Sequence, residues 1–536
     1  MNGAQKVMNG LHVVPSRGSR GVALISALFI VVVLLILTGS LLDLMPQELR
    51  SVAYSSYDNR ALYVADAGVE NYVRAIEEAL PGTYCTTLNY QFAPEPDGSQ
   101  AHFSVNCRDF QVVNGLQSYY VTSTGYSPQG TDRKIDAVIT EVAFSIYDYF
   151  SVENESGNWW VSGLSQFNGP VYLQGNSQNP VNFQFFDGRS SIGLDKMTVV
   201  NNVHWYQNQP PASNPDWLSM DASGQAGMSF TNTPVNFPPD VASILIANQA
   251  YNGTNGSGSF PAPSGAGVYM NGANVASASG GTLNSGIFVN GSANVSFSST
   301  STTQTITFAP PSGGCSGANP IPNTVTATVN YSTNQTTVVT GSHNATYSGV
   351  PSGQPASGSG ANGALFVDGT ACNVAGTVHG QFTLAVPDTT NVTDDIHLFG
   401  NLTYQNDPQT CNCSSTDVLG MYAHNVDVDW GAGNNLTIEA AIFAGNSHDV
   451  SSNDGQGSFK PNFDIYSKPL TGYLHVFGST VQNQTVALGV YNQGCGCMVH
   501  AYNDSYFYDS RFKDLTPPYY PRTGLYRIIV FKDEGI

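Results

Sequence analysis

Residues 22–42, VALISALFIVVVLLILTGSLL, carry no charge. As a helix rising 1.5 Å per residue, this stretch would be ~31 Å long, enough to cross the hydrocarbon core of a bilayer. Lys6, Arg17 and Arg20 precede it, with no acid among residues 1–20. That bias places the N-terminus in the cytoplasm, so the chain beyond Asp43 is expected on the extracytoplasmic side. A secretory signal peptide would have an apolar core of ~7–15 residues and then a small-residue cleavage site. Here the apolar run is longer and continues into more helix.

Residues 47–80 read QELRSVAYSSYDNRALYVADAGVENYVRAIEEAL. Leu49, Val52, Leu62, Ala65, Val69, Val73 and Ile76 recur mostly every three or four positions, the period of an amphipathic helix. Pro46 at the junction would kink the helix or loosen a turn, and Pro81-Gly82 would stop it. The expectation is one helix over 22–80, with 22–42 in the membrane and the remainder amphipathic.

Arg20-Gly21, the apolar segment from Val22 and the motif ALYVADAGVE at 61–70 occur in that order. This N-terminus resembles that of type IV pilin-like proteins, most closely the PilX-type minor pilins. The resemblance covers roughly residues 17–80. It implies a leader over 1–21, cleavage by a prepilin peptidase between Gly21 and Val22, and methylation of the new amine at Val22. It also implies that the partners are other pilin-like subunits and the pilus assembly machinery. Major pilins carry Glu at mature position five, where this chain has Ser26. A buried carboxylate in lipid is costly unless paired, and its absence suits a minor subunit better than a repeating filament core.

Residues 81–145 contain Cys85 and Cys107, then alternation over 117–126, turn chemistry at PQGTD and alternation over 133–143. This is a β-hairpin signal, and behind a long helix it predicts a small antiparallel sheet. Such an αβ unit is similar to the pilin layout.

Residues 146–536 read as a large β-rich body. Helical periodicity is scarce, VASILIANQA at 241–250 being its best example. GVYMNGANV (267–275), GIFVNGSANV (286–295) and GALFVDGTACNV (363–374) form a loose repeat of strand, N-G or D-G turn, and strand. Such units share a core when stacked, which predicts a β-solenoid; a β-sandwich built from hairpins is the alternative. FNGPV, EAAIFA, YLHVFGSTVQNQ and YFYDSRFKDLTPPYYP resemble blocks of an uncharacterised domain that often follows PilX-type N-termini. That likeness implies pilus association and no particular chemistry. The whole chain is therefore expected to be mainly β behind one long helix.

Charge supports the compartment. The chain has 38 Asp+Glu against 18 Lys+Arg, a formal net charge of -20. No Lys or Arg lies between Lys196 and Lys460, and 241–367 contains no charged residue. A nucleic-acid partner would need clustered basic residues, so none is expected. Surfaces wetted by Ser, Thr, Asn and Gly are common in exported proteins.

All eight cysteines follow the apolar segment, which fits an oxidising compartment. Cys85–Cys107 and Cys315–Cys372 are the simplest disulfides. Cys411-Asn-Cys413 and Cys495-Gly-Cys497 can cross-link to each other or each close a tight ring; a four-thiolate zinc site is the rival. No resident metal or cofactor is expected beyond weak calcium candidates. Asn425, Asp427 and Asp429 would share one face of a strand, with Asp394-Asp395 and Asp449/Asp454 as further carboxylates. DVSSNDG at 449–455 only half resembles a calcium loop. A glycosidase needs two opposed carboxylates, yet Glu439 is the sole Glu between 155 and 533. No GxSxG, HExxH or phosphate loop occurs, and His448 and His500 stand alone. The expectation is a non-enzymatic minor pilin-like subunit in pilus assembly or display. A membrane-anchored adhesin binding glycan or protein is the alternative, and a type II secretion pseudopilin a third reading.

Overall fold

The computed structural model describes residues 19–77, 85–96, 98–113, 116–153, 235, 237, 241–256, 258–312, 315, 319–355, 360–389, 392–410, 414–445, 457–470, 472–492, 495 and 497–533. Between 154 and 234 it describes 158–161, 166–167, 169–174, 181–185, 191–192, 197–200, 203–205 and 228–231. The chain is mainly β behind one long N-terminal helix.

Helix α1 (Ser19–Glu77) runs unbroken through Pro46, so the expected kink or loosened turn does not interrupt it. It begins before Val22, the first residue of the expected helix; Pro81-Gly82 lie outside the described residues. Leu24–Leu41 is long and apolar enough to cross a membrane and no part of it is buried. Leu49 and Val52, expected on the packed face, are also exposed. The buried stripe starts only at Ala61 and continues through Ala65, Val69, Tyr72 and Ile76.

That stripe lies on an antiparallel sheet. Strands β1 (Thr87–Gln91), β2 (His102–Val113), β3 (Leu116–Tyr126) and β4 (Asp132–Ala143) are neighbours in chain order. The helix meets β2, β3 and β4 at very short range, because small residues face each other. A Cβ on Gly125 would fall 2.2 Å from the Ala65 nitrogen and 2.3 Å from the Ala61 oxygen. Ser123 Oγ donates to the Ala65 carbonyl at 2.7 Å.

The fifth strand of this sheet is Arg522–Asp533, antiparallel to β4. Assigning 146–536 to the body as one block is therefore corrected: the C-terminal strand belongs to the small unit. Tyr526 and Ile528 pack on the core shared with α1. Arg133 on β4 pairs with Asp58 of the helix at 2.8 Å and with Asp533 of the C-terminal strand.

The intervening body is built on parallel ladders. The chain enters at β5 (Tyr149–Glu153) and adds β6 (Val171–Gln174), β7 (Met197–Val200) and β8 (Met228–Thr231) outward. Helix α2 (Val241–Asn252), where the periodicity predicts it, leads to the opposite end. From there the chain returns in paired strands. They are β9 (Ile287–Asn290) with β10 (Ala293–Ser299), β11 (Ala364–Asp368) with β12 (Ala371–Val378), and β13 (Gln381–Ala385) with β14 (Ile396–Tyr404). Next come β15 (Val418–Ala423) with β16 (Val426–Val428), β17 (Leu436–Ala444) with β18 (Phe459–Pro461), and finally β19 (Gly472–Gln484).

The first members stack in parallel in the order β9, β11, β13, β15, β17, β19, and β19 then pairs with β5. The second members, β10, β12, β14, β16 and β18, form another parallel ladder. Entry and exit therefore meet, and Arg522 lies opposite Ala143 in the small sheet.

Both faces of the first ladder are buried, as parallel sheets require. Ile287, Leu365, Leu384, Met421 and Ile442 line one face in register. Phe288, Phe366, Tyr422, Phe443, Phe150 and Tyr172 line the other, under α2 and residues 512–520. Gly420 leaves room for Tyr520, and Thr383 Oγ1 donates to the Pro518 carbonyl at 2.5 Å. The proline-rich exit thus covers a sheet face.

The repeat divides into two geometries. Asn271-Gly272, both at positive φ, make a true hairpin. Gly291 and Gly369 instead turn the corner between the two ladders at φ of 114 and 147. There a Cβ on Gly369 would meet Ser292 nitrogen at 2.7 Å, so only glycine fits.

Candidate metal centre

Three strands of the second ladder place His397, Asp427 and Lys460 in one register row. Their neighbours Ile396, Leu398, Val426, Val428 and Phe459 enter the core. Alternation along a strand therefore turns the row to the opposite face. Of Asn425, Asp427 and Asp429, expected to share one strand face, the register sets Asp427 on the face opposite these core residues.

Asp395, just before β14, joins the row. One donor atom each from Asp395, His397 and Asp427 lies within 4.8 Å of the others. Asp395 Oδ1 accepts from the Asn425 backbone nitrogen at 3.0 Å and its side-chain amide at 3.1 Å, and His424 Nδ1 stands 3.5 Å away. Asp429 contacts His397 Nδ1 at 2.9 Å and accepts from Asn462 Nδ2 at 3.0 Å. It is thus a partner of the histidine and stands outside the three-residue group.

Asp427 is 3% exposed, and its Oδ1 is buried without a hydrogen-bond partner. Desolvation, then the charge of Asp395, pushes its carboxyl up to about 7, with His397 and Lys460 opposing. Burial lowers the basicity of His397, but Asp429 and the neighbouring carboxylates outweigh that and raise it. The site concentrates negative charge around a nitrogen donor and an unsatisfied oxygen, an arrangement suited to a cation.

The calcium expectation at Asp427 and Asp429 changes accordingly. Calcium takes six to eight oxygens, whereas this group supplies one imidazole and two carboxylates. Asp394 accepts from Thr370 at 3.3 Å and is not in the group. Asp449, Asp454, His448 and the 449–455 loop lie outside the described residues. His397 escapes sequence reading because its partner is thirty positions away, and only the ladder register unites them.

Cys85–Cys107 and Cys315–Cys372 are disulfides, with Cα separations of 5.3 and 5.8 Å. Cys495 and Cys497 close their own ring, which removes the cross-link between the two CxC elements and the four-thiolate zinc site. Cys411 and Cys413 lie outside the described residues. Gly21 and Val22 sit within α1. His500 Nδ1 lies 3.2 Å from the Lys468 carbonyl, a structural contact.

A separate cleft of about 660 Å³ is lined in part by Ser415, Tyr508, Asp509, Arg511 and Asp514. Arg511 holds Asp509 and the carbonyls of Ser415 and Asp417, so its guanidinium serves the fold. No family model, curated protein or solved structure matches the chain.

Proposed function

We propose that this chain is a minor pilin-like subunit, non-enzymatic, that carries a large extracytoplasmic β-solenoid in pilus assembly or surface display. The observation that carries the reading is the division of α1. Its first part is apolar and wholly exposed, while its last part packs on a five-stranded sheet through Ala61, Ala65 and Gly125. A helix that is apolar all round needs lipid or other helices around it. In this reading, prepilin peptidase cuts at Gly21, the helix waits in the membrane with its N-terminus cytoplasmic, and neighbouring subunits then receive it. The parallel ladders support a solenoid, because each returning pair of strands adds one layer to both. The body is an insertion between β4 and the C-terminal strand, and the adjacency of its two ends leaves the pilin-like unit intact.

Replacing Ala27 and Gly39 with Leu tests this. Close helix packing uses small residues, and a Cβ at Gly39 meets nothing within 4 Å in the chain itself. The double variant should insert normally and be depleted about tenfold from sheared surface filaments. Unchanged filament incorporation would reduce the helix to an anchor.

An anchored adhesin is the second reading, favoured by exposed aromatics on the body. Phe399, Trp430, Tyr466 and Tyr473 are 46%, 50%, 67% and 50% exposed. Trp430 meets Phe463 edge-on at 5.5 Å, and such rings suit stacking against sugars or protein side chains. A tip subunit can carry both roles.

A further inference from the structure

We propose that Asp395, His397 and Asp427 bind one divalent first-row transition-metal ion, best matched by zinc, with Asp429 as the positioning residue for His397. This goes beyond the pilin-like reading and does not depend on it.

Two observations support the site independently. The first is geometric: a nitrogen and two carboxylate oxygens converge within 4.8 Å from two adjacent rungs of the ladder. The second is the Asp427 carboxylate, which is 97% buried by its 3% exposure and has one oxygen without a partner. A buried charge is retained only where something compensates it. Lys460 stands next in register, so an ammonium is the competing compensation, and the test must separate the two.

The donor set selects the ion. Imidazole with carboxylates suits zinc and its neighbours, while calcium and magnesium take oxygen alone. His397 uses Nδ1 toward Asp429 at 2.9 Å, which leaves Nε2 as the ligating atom. A carboxylate behind a histidine fixes its tautomer and strengthens it as a ligand. Side-chain exposures of 23% at Asp395 and 12% at His397 give the ion a route in and leave a position for water. The bound ion would tie two rungs of the second ladder together.

The test uses the full chain in mild detergent, stripped with EDTA and titrated with zinc, manganese or calcium ions, with the heat of binding and thermal melting as readouts. Wild type should take up one zinc ion per chain and, at hundredfold excess over Kd, melt about 3 °C higher. Asp427→Asn and His397→Gln should each weaken zinc binding at least a hundredfold, and Asp429→Asn about tenfold to a hundredfold. Without metal, Asp427→Asn should melt no lower than wild type, because the amide keeps the shape of a carboxylate whose Oδ1 has no hydrogen bond to lose. A cooperative transition there also shows that the variant folds. The proposal is overturned by an absence of zinc uptake, by uptake unchanged in both ligand variants, or by preference for calcium. It is also overturned if metal-free Asp427→Asn melts below wild type, since the carboxylate would then already be paired, with Lys460 as its partner.

Discussion

Replacing Gly125 with valine should lift α1 from its sheet and strongly destabilise the membrane-proximal unit. The new Cβ would lie 2.2 Å from Ala65 nitrogen, 2.3 Å from Ala61 oxygen and 2.8 Å from Ala65 Cα. All three are backbone atoms, so no side-chain rotation relieves the clash. The helix must lift, which breaks the Ser123 bond to the Ala65 carbonyl and loosens Val69, Tyr72 and Ile76 from the core. Overpacking typically costs about 1–3 kcal/mol, and a rigid backbone contact belongs at or above the top of that range. A unit this small has only about 5–10 kcal/mol in hand. Limited proteolysis checks the result: cleavage should appear within 43–145 while the body stays resistant. Equal resistance in wild type and variant would show that the helix does not rest on this sheet.

Ending the chain after Pro521 should have a comparable effect by another route. The cut keeps Tyr519 and Tyr520, which cover the body, and removes only the fifth strand. β4 then loses its neighbour along one whole edge, and Tyr526 and Ile528 leave the core. Each apolar side chain lost removes about 1.5–3 kcal/mol if fully buried, and both are half-buried here. Burial pushes the Glu141 carboxyl up, and the cut also removes Arg522, whose charge opposes that shift. Hydrogen exchange should show loss of protection over β2–β4 with the ladders still protected. Retained protection in β4 would mean that the C-terminal strand is not part of the unit.

The pattern of what was legible follows from how far apart the interacting residues are. The β3–β4 hairpin was readable because alternation and turn lie within thirty residues, and α2 because its period is local. The Cys85–Cys107 and Cys315–Cys372 bridges likewise join nearest neighbours along the chain. Membership of the C-terminal strand in the small sheet is not legible in the sequence. Its pairing to β4 spans the whole body, and its alternation fits any sheet edge. The N-G and D-G signals marked turns correctly, yet Asn271-Gly272 folds a hairpin while Gly291 and Gly369 turn ladder corners. The difference lies in whether another rung is stacked alongside, which no short window contains. Alternate spacing singles out Asp427, whereas nothing local points to His397, because register alone sets it beside Asp427. Leu49 and Val52 matched the helical period and are nonetheless exposed, because the sheet reaches only as far as Ala61.

The central claim is that this chain is processed and assembled as a pilin-like subunit. N-terminal sequencing of the protein extracted from membranes of its native host tests it most directly. The account predicts a sequence beginning at Val22, with the terminal amine methylated. A chain that retains residues 1–21, or one that starts beyond residue 40, would contradict it.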